Sequence, residues 1–96
     1  MKPSEILRAN RTAIRNIVAA HRASNARVFG SVVHGCDTND SDLDILVDAL
    51  PEADLFDISA IQIELRNLLG VQVDVRTPLD LPAKFRKIVL AEAVPV

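Results

Sequence analysis

Apolar residues recur at helical spacing through the first twenty positions. Leu7, Ile14, Ile17, Val18 and His21 share one face, so residues 4–22 are expected to form one helix with Ser4 as its N-cap and His21 at the edge of the core. Arg8, Arg11, Arg15 and Arg22 gather on the neighbouring face. That stripe reads either as a solvated edge or as a docking surface for an acidic partner. "SNA" then turns the chain, and "RVF", residues 27–29, is a short strand ending at Gly30. Ser31 to about Cys36 is expected to make one or two helical turns closed by Gly35, with "CDTND" as a polar loop.

"SDLDILVDA", residues 41–49, is the best strand pattern in the chain, closed by Pro51. Residues 54–69 return to helical spacing, with Ile58, Ile61, Leu65 and Leu68 as the buried stripe and Gly70 as the C′ residue. "VQVDVR", residues 71–76, alternates apolar and polar as a half-buried strand does. After Pro78 and Pro82 a last helix is expected over about 80–92, with Phe85, Ile88 and Val89 turned inward. The elements alternate as αβαβαβα. The expected fold is α/β (α+β), a small mixed three-stranded sheet flanked by about four helices.

The chain has 96 residues, enough for one domain spanning 1–96 and too few for a second lobe. Hydrophobic residues make up 49% and charged residues 25%, the balance of a globular domain. No apolar run approaches the ~20 residues of a membrane span. "MKPSEILRAN" carries no signal-peptide core, so a cytoplasmic location and no membrane association are expected. Cys36 is the sole cysteine and has no disulfide partner. The net charge is −2, there is no Trp or Tyr, and there are three Phe, so direct nucleic-acid binding is not expected.

The chemistry gathers around the second strand. Asp42 and Asp44 are two residues apart and share one face, while Leu43, Ile45 and Val47 go to the core. Adjacent carboxylates repel, and a divalent cation such as Mg²⁺ relieves that repulsion. On the later strand Gln72, Asp74 and Arg76 share a face. If the two strands pair with their valine-rich faces on the helices, Asp74 joins Asp42 and Asp44, a set able to hold two metal ions about 4 Å apart for in-line phosphoryl transfer. Gly30 allows close backbone approach, and Ser31 opens a helical turn whose free N–H groups and hydroxyl favour an anion. Together these parts describe a nucleoside triphosphate site.

The spacing is G-S-(x)10-D-x-D: Gly30, Ser31, then Asp42 and Asp44, with Asp74 as the later acid. In this it resembles the DNA polymerase β-like nucleotidyltransferase superfamily. It is most similar to the minimal nucleotidyltransferases, or MNT antitoxins, which are often paired with HEPN-domain toxins. The likeness runs through the leading helix, "VFGSVVHG", "SDLDILVD", "VDVRTP" and the closing "EAV". It implies a palm-like core in which Gly30 and Ser31 bind the triphosphate of ATP. Asp42 and Asp44 would ligate two Mg²⁺ ions, and Asp74 would complete the metal site and help deprotonate the attacking hydroxyl. The implied reaction moves AMP from ATP to a hydroxyl, typically a tyrosine of the cognate HEPN toxin, an RNase silenced by the modification. Many relatives carry Arg before the glycine where this chain has His34-Gly35, which puts in question a cation at that place; a protonated His34 could still meet a phosphate or the target. Arg76 could neutralise phosphate charge or pair with an aspartate. Two other readings stay open: a non-catalytic antitoxin that neutralises a toxin by binding, and a nucleotidyltransferase for a small, aminoglycoside-like molecule.

Overall fold

In the computed structural model, which describes all 96 residues, the first expected helix is two. α1 spans Pro3–Ala9 and α2 spans Arg11–Ala20. Asn10 lies between them with φ −129° and ψ 21°, and its Nδ2 donates to the Ile6 carbonyl at 2.8 Å. A short amide side chain that competes for backbone partners breaks a helix in this way. The break was hidden because Leu7 and Ile14 stay in phase across it, and both are buried. Lys2 is the N-cap and Pro3 the first helical residue, so Ser4 sits inside the first turn.

β1 spans Ala23–Phe29 and is longer than expected. The "SNA" segment lies inside it as an irregularity: its pairing with β2 (Leu43–Ala49) shifts register between Ser24 and Arg27. Asn25 there has φ 52°, a left-handed value that Asn tolerates better than most residues. Turn-forming residues have made a bulge instead of ending the strand.

After β2, α3 (Leu55–Leu69) crosses over to β3 (Val73–Arg76), which pairs parallel with β2. α3 has both its ends well made. Asp54 and Asp57 exchange side-chain-to-backbone bonds of 3.1 and 3.0 Å at its start, and Gly70 at φ 69° closes it. Ile61 and Leu65 are fully buried, Ile58 is half-buried, and Leu68 is exposed.

α2, α3 and the inner faces of β1, β2 and β3 form the core, built from Ile14, Val18, Val28, Leu43, Ile45, Val47, Ile61, Leu65, Val73 and Val75. Each such side chain contributes roughly 1.5–3 kcal/mol by burial. The chain then makes a short turn at Pro78–Asp80, followed by α4 (Ala83–Glu92) and a two-residue strand, β4 (Val94–Pro95). β4 lies antiparallel to β1, so the sheet has four strands in the order β3-β2-β1-β4, not three.

α4 departs most from expectation. It has no buried residue; Phe85 is 48% and Ile88 55% exposed, and Val89 is half-buried. Helical spacing shows which residues share a face, but not whether the fold has an apolar surface left to receive it. Here α2 and α3 already take the core face of the sheet.

Candidate functional site

β1, β2 and β3 set the site by register. Phe29 is opposite Asp44, and Asp44 is opposite Asp74. Paired residues of neighbouring strands project to the same face, about 4.8 Å apart. The two acids from distant parts of the chain are therefore next-door neighbours on the face away from the core. Asp42 stands just before β2, which begins at Leu43, and is exposed.

The charges register this crowding. Burial first, then the Asp74 and Asp42 charges, raise the Asp44 carboxyl, Arg76 opposes them, and the net result is a carboxyl pushed up to about 6. All three expected acids thus act on one point. Their side chains nonetheless do not form a closed ligand set: no three His, Cys, Asp or Glu groups stand together around an ion position. Asp74 Oδ1 lies 3.7 Å from Arg66 Nη2, and Arg66 Nε donates to the Val73 carbonyl at 3.0 Å. Asp42, Asp44 and Asp74 bring to one face the oxygen donors that a hard divalent cation takes, and such an ion would relieve the repulsion that Arg66 and Arg76 offset only in part.

Gly30 completes the wall. Its φ is +76°, and a Cβ at this position would overlap Asp44 Oδ2. Glycine is required here twice, by backbone conformation and by contact with the carboxylate. The turn it opens is shorter than expected: a single 3₁₀ turn, Gly30–Val32, with the Val33 and His34 N–H groups both bonded to the Gly30 carbonyl. Three residues align too few peptide dipoles to act as a helix end. Any anion at Ser31 would meet local N–H groups and the hydroxyl.

His34 Nε2 is 2.8 Å from Glu92 Oε2, so this histidine ties the turn to the end of α4. His21 is at the core edge as expected, bonded to Glu64 at 2.8 Å. The remaining ion pairs are Arg27–Asp48 and Arg66–Asp74, which leaves Arg76 on the acidic face without a close carboxylate partner. Cys36 is exposed in the loop.

Two residues around the site were not singled out from sequence. One is Arg66, above. The other is Asp37, which is buried and accepts the Ser4 N–H at 2.9 Å. Bonding to Ser4 holds its carboxyl below the usual carboxylate range. It pins the loop leading to Asp42 onto the first turn of α1. No local pattern points to a bond between residues 33 positions apart.

Residues 12–96 match the family described as "Nucleotidyltransferase domain". The chain belongs to the nucleotidyltransferase domain family. A Methanocaldococcus jannaschii relative named "Putative protein adenylyltransferase" is 34% identical over 80 residues, covering 83% of this chain and 86% of that one. A solved structure described as a "putative minimal nucleotidyltransferase" superposes with a TM-score of 0.86 at 42% identity, over 97% of this chain and 95% of the other. A crystal structure of a toxin–antitoxin with AMP-PNP shares the fold at TM-score 0.75 and 20% identity, over 90% of this chain and 71% of that one. A mutant of the toxin–antitoxin MntA–HpeT does so at 0.73 and 17%, over 90% and 70%. This nucleotidyltransferase is an enzyme of mixed α+β fold, and none of its helices is long and apolar enough to cross a membrane.

Proposed function

We propose that this nucleotidyltransferase transfers AMP from ATP to a hydroxyl, that of a tyrosine on a HEPN-type toxin, and acts as that toxin's antitoxin. The observation that carries the reading is the in-register pairing of Asp44 with Asp74 against the bare backbone of Gly30. It is supported by the relative named for protein adenylyltransfer and by the toxin–antitoxin structures that share the fold.

Asp42, Asp44 and Asp74 would hold Mg²⁺, two ions in this reading, which when bound neutralises the phosphates and lowers the barrier to displacement at phosphorus. Gly30 and Ser31 receive the triphosphate through close backbone approach and the Ser31 hydroxyl. Arg76, lacking a close carboxylate partner, adds positive charge on the same face. The acceptor oxygen forms its bond to the α-phosphorus as the bond to pyrophosphate breaks. Asp74, at the edge of the acidic face, takes the hydroxyl proton. In this reading the partner protein supplies the acceptor.

The test is intact mass spectrometry of this chain mixed with the product of the adjacent gene, ATP and Mg²⁺. The partner should gain about 329 Da, one AMP, or a multiple, and Asp42→Asn or Asp44→Asn should abolish the gain while circular dichroism stays unchanged. Labelling that persists in both variants would remove these residues from the mechanism. No labelling, with a stable complex by size-exclusion chromatography, would favour neutralisation by binding alone.

A further inference from the structure

The arginine stripe of the first helical region has no part in the reaction above, and the fold gives it a shape that its sequence does not show. Arg22 leaves the stripe to reach the Glu52 carbonyl at 3.2 Å. Arg8, Arg11 and Arg15 stay together where Asn10 separates α1 from α2, and they line a cleft of about 650 Å³ that contains no acidic residue. The chain as a whole carries 13 acidic and 11 basic residues, so this cleft departs sharply from the average surface. Arg11 donates to the Pro95 main-chain oxygen at 3.4 Å, and Arg15 to that of Val96 at 2.8 Å and to the Thr12 hydroxyl at 3.4 Å, so neither is paired with an Asp or Glu side chain.

Beside it lies a second concavity of about 250 Å³, which shares Arg8 and Arg11. Its apolar lining is Leu7, Val28, Val32, Val33 and Val94. Val94 is 46% exposed. The result is an apolar trough with cationic groups along one rim.

We propose that this groove is a docking site for an acidic protein segment carrying apolar anchors. The rim answers carboxylates, and the trough answers aliphatic side chains. A nucleic acid is the poorer fit, because neither concavity offers an aromatic ring for a base to stack on. None of the residues altered in the test below belongs to the acidic face or to the Gly30–Val32 turn, so binding here can be read apart from adenylyl transfer.

Fluorescence polarisation tests it, with the whole chain and a labelled peptide of alternating Glu and Leu blocks, an all-Glu peptide, a Lys–Leu peptide and a short single-stranded RNA. The Glu–Leu peptide should bind and the Lys–Leu peptide should not. Arg8→Glu with Arg11→Glu should weaken binding about tenfold or more, and added salt should weaken it in the parent chain. Val94→Asp, which leaves the arginines in place, should weaken it as well. All three arginines and Val94 are surface positions, and circular dichroism checks that the fold survives. Absence of Glu–Leu binding, indifference to the double charge reversal, equal binding of the all-Glu peptide, or tighter binding of RNA would each overturn the proposal.

Discussion

Asp44 carries a cost that its neighbours impose. Its carboxyl is raised from an ordinary 3.8 to about 6 by burial first and by Asp74 and Asp42 next. The folded state therefore holds this proton more tightly than the unfolded chain does, and stability falls as pH climbs through that interval. The full shift corresponds to about 3 kcal/mol, and solvent screening of a half-exposed group reduces it to about 1 kcal/mol. Asp44→Asn, measured by thermal melting in EDTA at pH 7.5, should raise Tm by about 4–8 °C while abolishing transfer. The gain should vanish near pH 4, where the parent carboxyl is already protonated. Gly30→Ala should do the opposite to stability: it strains a positive φ and drives a methyl group into Asp44 Oδ2, lowering stability by about 1–3 kcal/mol together with activity. Melting curves of the variant at fixed pH check the sign. Gly30, Ser31, Asp42, Asp44 and Asp74 were all legible as candidates because their spacing is local or follows strand alternation. Arg66 and Asp37 were not, since each acts on the site's surroundings through a contact that no period in the chain predicts.

Among the elements, those read best were those whose ends are written in the sequence. α3 begins at the Asp54–Asp57 box and stops at Gly70, and both signals are local. The α1–α2 break and the start of β1 were misplaced because Asn10 and Asn25 act through geometry: one takes a backbone partner from the helix, the other a left-handed bulge within a strand. The contact between the loop and α1 belongs to this scale too. Asp37→Ala would free the Ser4 N–H and unpin the loop before Asp42. Its lowered carboxyl contributes stability above the ordinary carboxylate range and loses it as pH falls. The variant should melt a few degrees lower at pH 7, and its difference from the parent should shrink as the pH is taken below about 4.

The molecule as a whole has its apolar mass on one side of the sheet. α2 and α3 cover that side, while α4 rests at the margin, tied by the His34–Glu92 pair and by Arg86 bonds to the Pro78 and Leu81 carbonyls. Few buried contacts mean low local stability. Native-state hydrogen exchange should show the α4 amides opening at least about a hundredfold more readily than those of β2. Equal protection of the two would mean that α4 is held by something other than the contacts described. The inward turn expected of Phe85 and Ile88 was not recoverable from their spacing, because it depends on where the other helices had already packed.

The pairing of Asp44 with Asp74 also sets a rule of parity. Everything between β2 and β3 is joined only by the crossover, so α3 could be lengthened or shortened by whole turns and the acids would still face each other. A slip of one residue in β3 would instead send Asp74 into the core and bring Val73 or Val75 out to the site. Length in this part of the chain is free to drift, and evenness is not.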